Sequence, residues 1–210
     1  MTEHLTMNTV IHAAIRRDVA RFDAALAAFP DGSHQRAEEL ARAWKNFASQ
    51  IHHHHEDEET IFWPAFRALG ADESLVTDLD GEHERMQGAL TVADSVMQEF
   101  RTAPTASNAE AARAAIAALS TVLTEHFTHE ERDLEPFAAA HRETPEIKQA
   151  QVAVRKTHKG VAGTFAAWLL DGADDDAKAR LRKEIPPPVL FVLTRIPGRH
   201  YNRDIASVWR

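Results

Sequence analysis

The sequence predicts an all-α protein built on an up-and-down four-helix bundle with additional C-terminal helices. Along four long stretches, apolar residues recur every three or four positions, the pattern of helices that pack against one another. Residues that interrupt helices are few, with 8 Gly and 9 Pro among 210 residues. Alanine-rich segments add intrinsic helix propensity. Together these features favour long helices joined by short connections.

The first two helices form a predicted hairpin. Helix one is expected over about 9–29 and ends at Pro30-Asp31-Gly32, a turn-forming triplet. Ser33 is a suitable cap for helix two, which we expect to reach about Leu69. Pro64 should bend this helix or end it late, because proline lacks the backbone N–H that a helix interior needs.

The second predicted hairpin follows a break at Gly70-Ala71-Asp72. Helix three is expected over about 74–100, and a loop containing Pro104 follows it. Ser107 and Glu110 have the spacing of a capping box, so we expect helix four to begin there. This helix should continue to about His141.

The remainder of the chain is predicted to be a helical extension. A fifth apolar-periodic stretch runs from Pro145 to Leu170, and a short helix should end near Glu184. Three consecutive prolines at 186–188 should hold the backbone extended. We therefore divide the chain into a bundle over residues 1–142 and an extension over 143–210. The extension should pack on the bundle or on a partner subunit, and association into homodimers is left open.

Composition excludes several classes of partner. The formal net charge is -8, and no basic patch stands out, so we expect no nucleic-acid partner and no binding to an anionic membrane surface. Continuous apolar runs, such as the one at 189–193, are far too short to cross a bilayer. Because the N-terminal stretch lacks the features of a signal peptide, a cytoplasmic location is expected.

The histidines are the unusual feature of this sequence. The chain contains 13 His and no Cys, so a metal site would have to use imidazole, carboxylate or other oxygen ligands. Four histidines are consecutive, at 52–55, and four acidic residues follow them at 56–59. This run is internal and shorter than a usual purification tag.

Polar residues interrupt the apolar face of each bundle helix. The six interrupting residues are His12, His54, Glu58, His83, His126 and Glu130. A carboxylate without a partner in an apolar interior is strongly penalised, and a shared cation removes that penalty. Residues four apart lie on one helix face, so each H-x-x-x-E pair can hold an ion. These six residues are the predicted metal ligands.

The spacing places the four histidines at one level of the bundle. The predicted helix lengths from His12 to the first loop and from that loop to His54 are about 26 and 29 Å. Spacings of 42 residues from His12 to His54 and 43 from His83 to His126 repeat the arrangement in the second hairpin. Two such hairpins would form a nearly symmetric site of four His and two Glu.

Other interpretations apply to single histidines. Taken alone, a histidine on an apolar face is more often a hydrogen-bonded core residue than a ligand, and it is the joint pattern that favours metal. We expect His52 and His53 to lie on a solvated face with Glu56 and Asp57. The flanking positions of His55 and His129 suit either a surface role or the orientation of ligands.

His158 lies on an apolar face of its own, and we expect a buried histidine there, with a position along an access route as the alternative. Four further histidines should lie at the surface or in loops: His4, His34, His141 and His200.

The order H…H-x-x-x-E…H…H-x-x-x-E, with an E-E pair and a proline after each Glu, resembles the hemerythrin-like (HHE cation-binding) family over about residues 9–141. The resemblance implies two Fe ions joined by an oxo or hydroxo bridge. By this resemblance His12 and His54 would hold one iron, His83 and His126 the other, and two glutamates would bridge them, Glu58 and Glu130. Residue types alone also admit Zn or Mn. Open positions would accept a small ligand such as dioxygen, peroxide or nitric oxide.

One position departs from the family's oxygen carriers, which have a fifth histidine one turn from the histidine of helix three. Here Leu79 and Gln87 stand one turn from His83. We therefore expect a more symmetric site that acts on small oxidants, for example by peroxide disproportionation, and whether it is an enzyme is left open. The alternatives are a module that senses oxygen, nitric oxide or iron, or stores iron, without turnover, and a metal-free helical interaction protein.

Overall fold

The structure, a computed structural model, describes residues 6–210. Four long helices form the bundle: α1 (Met7–Ala27), α2 (His34–Asp57), α4 (Glu73–Thr102) and α5 (Ala106–Asp133). Helix α1 contacts α2 and α5, and α4 contacts the same two helices, which closes a four-helix square. No strand occurs in the described range. The predicted all-α bundle is confirmed.

The helix caps explain where the bundle helices begin. Ser33 accepts a hydrogen bond from a backbone N–H of the first turn of α2, as predicted, and Asp72 does the same for α4. The predicted capping box at Ser107 was wrong. Thr105 is the cap of α5, with its side chain accepting from the N–H of Asn108, so the helix begins two residues earlier.

Prolines interrupt the second helix of each hairpin, after α2 and after α5. A π-helical segment, Glu58–Phe62, follows α2, and α3 (Trp63–Ala68) continues the chain. The missing N–H of Pro64 removes one i→i−4 hydrogen bond here, in agreement with the expected bend. We expected an unbroken helix four, but α5 ends at Asp133 and α6 (Glu135–His141) follows. Proline at position 136 disfavours helical geometry in the residue before it.

The extension contains more helices than predicted. The single stretch expected from Pro145 is two helices, α7 (Pro145–Thr157) and α8 (Ala162–Leu170), separated by a turn over 158–161. Helix α9 (Asp175–Glu184) confirms the short helix and is capped by Asp174. Helix α10 (Pro187–Arg195) begins at the second of the three prolines, so the extended break expected over 186–188 is shorter than predicted.

Only the first of the three prolines is extended. Pro186 has φ -51° and ψ 135°, whereas Pro187 and Pro188 occupy the first turn of α10. A first helical turn tolerates proline because its N–H groups have no partner inside the helix. A π turn, Tyr201–Ile205, and a 3₁₀ turn, Ala206–Trp209, complete the chain.

The extension packs on the bundle. Trp168 is buried and donates from Nε1 to Oδ2 of buried Asp18 on α1, at 2.7 Å. Trp209 packs edge-to-face on Phe22, with ring centroids 5.0 Å apart. None of the helices in residues 6–210 combines the length and the apolar character that crossing a bilayer requires.

Two hydrophobic clusters lie at different levels of the molecule. The larger one fills the bundle and includes Met86, and the smaller one includes Leu79, Trp63 and Leu134. On α4, His83 lies between Leu79 of the smaller cluster and Met86 of the larger one. The His and Glu residues that interrupt the apolar faces of the four helices therefore form a polar layer, with one hydrophobic cluster above it and the other below.

Candidate metal centre

The six predicted ligands all lie in this polar layer. Each exposes 7% or less of its surface: His12, His54, Glu58, His83, His126 and Glu130. The Nε2 atoms of His12 and His54 are 3.1 Å apart, and those of His83 and His126 are 3.3 Å apart. The structure thus brings the side chains together at one depth. Their role as metal ligands stays a prediction.

The two carboxylates differ in their surroundings. Glu58 reaches both halves of the layer, because its Oε1 lies 3.5 Å from Nε2 of His54 and its Oε2 lies 3.5 Å from Nε2 of His83. Glu130 has its Oε2 at 3.3 Å from Nε2 of His12 and at 3.8 Å from Nε2 of His126, and its Oε1 accepts from the amide of Asn8 at 2.9 Å. Glu58 therefore reaches the two halves with separate oxygens, whereas Glu130 faces both halves through the single oxygen Oε2, which lies nearer His12.

Unpartnered atoms mark where a cation fits. Both carboxylate oxygens of Glu58 and Oε2 of Glu130 are buried and have no hydrogen-bond partner among residues 6–210. Such a group costs about 1–3 kcal/mol, and more when it is charged. A cation among imidazole nitrogens and carboxylate oxygens would remove this penalty, and these donors suit iron, zinc and manganese. The residues present fit the metal centre that the sequence predicts.

A fifth histidine joins the layer. Atoms that could hold one ion lie within 4.8 Å of one another in two groups. The first group consists of His12, His54, Glu58 and Glu130. The second group consists of His55, His83, His126 and Glu58. Only Glu58 belongs to both groups, so the two groups differ in composition. That both glutamates bridge, as the resemblance implies, stays a prediction.

The 3–4 apolar repeat does not predict that His55 is buried, but its place in a run of four histidines beside His54 could have indicated it. Within the bundle, helix α2 packs against both α1 and α4. Consecutive residues on a helix point about 100° apart, so His54 can face one neighbour while His55 faces the other. Both are buried, whereas His52 is exposed and His53 half-buried, as expected for a solvated face. A run of four histidines therefore contains two that enter the site.

Three imidazoles contact a carboxylate through Nδ1, on the side of the ring that faces away from the layer, and we call these groups outer carboxylates. Glu131 lies 2.8 Å from Nδ1 of His12, and Glu59 lies 2.7 Å from Nδ1 of His83. Each is the second Glu of an E-E pair, and each contacts the histidine of the opposite hairpin. A hydrogen bond donated by Nδ1 leaves the lone pair of Nε2 directed into the layer. The E-E pairs therefore combine an inner carboxylate with an outer one.

Glu82 has the same outer role at His126. One of its oxygens lies 3.0 Å from Nδ1 of His126, and the other lies 2.9 Å from Nδ1 of His129. His129 thus orients a carboxylate that orients a candidate ligand, and it does not enter the layer itself. This agrees with the orienting alternative that its flanking position allowed.

Burial keeps most of the imidazoles neutral. It lowers the pKa of His54 and His55 well below 6.5, and neighbouring imidazoles add to the effect. The pKa of His126 falls to about 4 for the same reason. Burial also lowers the pKa of His83, although the hydrogen bond with Glu59 opposes the shift. Neutral imidazole is the form that binds metals.

The pKa values of His12 and Glu58 are shifted towards the protonated forms. Burial opposes a charge on His12, but contacts with Glu130 and Glu131 outweigh it and raise the pKa. Burial raises the pKa of Glu58 well above 4.5, and the nearby charge of Glu130 adds to this. Burial opposes ionisation of Glu130 as well, yet the close contact of its Oε2 with the imidazole of His12 lowers its pKa. A cation competes with protons for these ligands, so its affinity should depend on pH.

Aromatic rings hold the layer in place. Phe127 stacks on His12, with centroids 3.9 Å apart, and Trp63 stacks on His83 at 4.5 Å. Trp63 also donates its backbone N–H to the carbonyl of Glu58, a bond across the π segment. Such π-helical turns often occur at functional sites. Here the turn positions Glu58 between the two halves of the layer.

The other histidines lie outside the layer. His158 is half-buried rather than fully buried, and its Nε2 lies 2.8 Å from Oδ1 of Asp57. His34 and His200 are exposed and His141 is half-buried. His4 lies outside the described residues.

Comparisons with known proteins agree with the geometry. Searches of curated proteins and of solved structures each found no match. A family model does match, that of the hemerythrin HHE cation binding domain, over residues 9–138 and 74–185. The matched ranges include both hairpins and every residue of the polar layer. The chain belongs to the hemerythrin HHE cation-binding domain family.

Proposed function

We propose that this protein is a non-heme di-iron protein that binds or turns over small oxidants such as dioxygen, peroxide or nitric oxide. The observation that carries the proposal is Glu58, whose two buried oxygens face imidazoles on opposite sides and have no hydrogen-bond partner in residues 6–210. A carboxylate in this position is suited to two cations at once. The proposal extends the family's cation-binding description to a particular metal and to a class of ligand.

The donor set supports two ions. His12, His54 and Glu130 would hold the first and His83 with His126 the second, with Glu58 shared between them. Bound iron supplies Lewis acidity and a reversible one-electron change to a small ligand. The residues of the chain do the rest: outer carboxylates fix the imidazoles, and hydrophobic packing keeps bulk water and large molecules away.

The first test is metal content and response to peroxide. Purified protein loaded anaerobically with Fe(II) should retain two iron ions per chain and change its absorption spectrum when peroxide is added. Oxygen release should exceed that of the same concentration of free iron. His54→Ala should lose at least one ion, whereas His52→Ala, an exposed neighbour, should retain both. Equal metal content in wild type and His54→Ala would refute the assignment.

A sensing role is the second candidate, and one contact favours it. His158, at the junction between α7 and α8, pairs with Asp57, the residue before Glu58. A change at Glu58 on ion binding would therefore be transmitted to the extension through its neighbour. In that case limited proteolysis should cut the extension at different rates in the metal-loaded and chelated protein. Identical cleavage rates would remove this candidate.

A further inference from the structure

His55 is buried with a free ring nitrogen. It exposes 7% of its surface, and its Nε2 has no hydrogen-bond partner among residues 6–210. Its ring stacks on His83, with centroids 4.3 Å apart and planes inclined by 26°. It also lies edge-on to His126, at 5.8 Å. The ring therefore belongs to the half of the layer that contains His83 and His126.

A packing role does not account for this placement. An apolar ring would fill the same space without burying an unpaired nitrogen, which is unfavourable. Glu58 lies three residues further along the chain, near the same face of the helix, and its Oε2 has no hydrogen-bond partner among residues 6–210 either. Two unsatisfied polar groups that face one space have a common explanation in a cation between them.

We propose that His55 is a direct ligand of the second ion, together with His83, His126 and Glu58. The inference rests on the proposed function, since it requires that ions bind in the layer. It changes the donor count from four imidazoles to five. The second ion is then held by three imidazoles and the shared carboxylate, and the first by two imidazoles and two carboxylates.

The two positions therefore differ in chemistry. Imidazole nitrogen suits cobalt, zinc and iron, while carboxylate oxygen suits manganese better. Co(II) should fill the position of His55 first and the position of Glu130 second. Mn(II) should discriminate less between them. A symmetric site with two imidazoles per ion would show neither difference.

The test is a Co(II) titration of the full chain, followed by visible absorption and equilibrium dialysis. The wild type should bind two ions in two steps. His55→Phe retains a ring to stack on His83 but has no nitrogen, and His55→Ala removes the ring. Both variants should bind one ion with wild-type affinity and the other at least about 100-fold more weakly, the upper end of what loss of an outer-shell partner costs. His53→Ala, on the same helix and outside both groups, is the matched control.

Two further readouts separate ligation from a structural effect. Added imidazole should restore tight binding of the second ion in His55→Ala but not in His55→Phe, whose ring occupies the space. In the Co(II)-loaded wild type, five paramagnetically shifted imidazole N–H resonances are expected. Four resonances would overturn the proposal even if both variants failed to fold.

The failure of this inference is distinct from the failure of the proposed function. If the wild type binds no ion, the metal centre itself is wrong. If the wild type and both folded His55 variants bind two ions with equal affinity, only the assignment of His55 is wrong. In that case the ring is a packing element of the layer.

Discussion

Replacement of Glu58 by leucine should stabilise the metal-free protein and destabilise the metal-loaded one. Both oxygens of Glu58 are buried without a hydrogen-bond partner in residues 6–210, and the side chain contributes nothing there that compensates its desolvation when no ion is bound. Leucine is similar in volume and apolar. Removing one buried unsatisfied polar group is worth about 1–3 kcal/mol. For a chain of this length that corresponds to a rise in melting temperature of about 2–12 °C.

With metal present the order should reverse. An ion at 100 times its dissociation constant stabilises a folded protein by about 2.7 kcal/mol, and Glu58 is the one group common to both candidate sites. The Glu58→Leu variant should therefore lose most of the stabilisation that two ions provide to the wild type. The assay is thermal unfolding with excess chelator and with excess Co(II), at one protein concentration.

The matched control is Glu56→Leu. Glu56 is two residues away, and its side chain is 52% exposed, so the same substitution should change stability by about 0.5 kcal/mol or less in both conditions. A Glu58→Leu variant that is less stable than the wild type in chelator would refute the reasoning. It would show that the Glu58 carboxyl is satisfied within the fold and not reserved for a cation.

Three other predictions concern pH and the extension. The pKa of His126 is about 4 in the folded protein and 6.5 in the unfolded chain, so between these values the unfolded state binds more protons. This group should therefore lower the stability of the chelated protein by about 3 kcal/mol as the pH falls from 6.5 to 4. The measurement is denaturant unfolding at each pH, with the free energy of unfolding of His126→Gln as the reference. Gly163→Ala would place a methyl group 2.5 Å from Cγ of Pro197. The resulting overpacking should lower the free energy of unfolding by about 1–3 kcal/mol in the same assay. An unchanged denaturant midpoint would show that α8 and α10 separate easily. Trp168→Phe removes the hydrogen bond to Asp18 and should lower the free energy of unfolding by at least about 1.5–3 kcal/mol. Limited proteolysis should cut the extension faster than in the wild type. Equal resistance to the protease would mean that other contacts hold the extension on the bundle.

Much of the bundle was predictable because helical patterns are local. The apolar repeat identifies the buried face of each helix, and loop residues such as Pro30 and Gly32 mark the ends. Together they determine which residues share a level, so convergence of His12 with His54 followed from helix lengths alone. The E-E pairs were visible as well, although nothing in the sequence shows that Glu59 and Glu131 contact histidines of the opposite hairpin.

Interruptions of helices were less predictable. Pro64 correctly indicated a bend, but whether a proline produces a π turn, as it does after α2, or a simple break, as it does after α5, depends on the neighbouring packing. The break at 158–161 was not expected, since the apolar repeat continues through it. There the pairing of His158 with Asp57 is a tertiary contact between residues that are distant in the chain.

Periodicity, loop length and the i,i+4 pairs were enough to predict a bundle with a polar layer of four histidines and two glutamates, because each of these features depends on residues close in sequence. The division of that layer into two unequal groups required the tertiary structure. His55 enters the site because α2 packs against two bundle helices at once, and Asn8 of α1 donates to Oε1 of Glu130, so only Oε2 faces the imidazoles. Such choices depend on how helices cross in space, and one helical period cannot specify them.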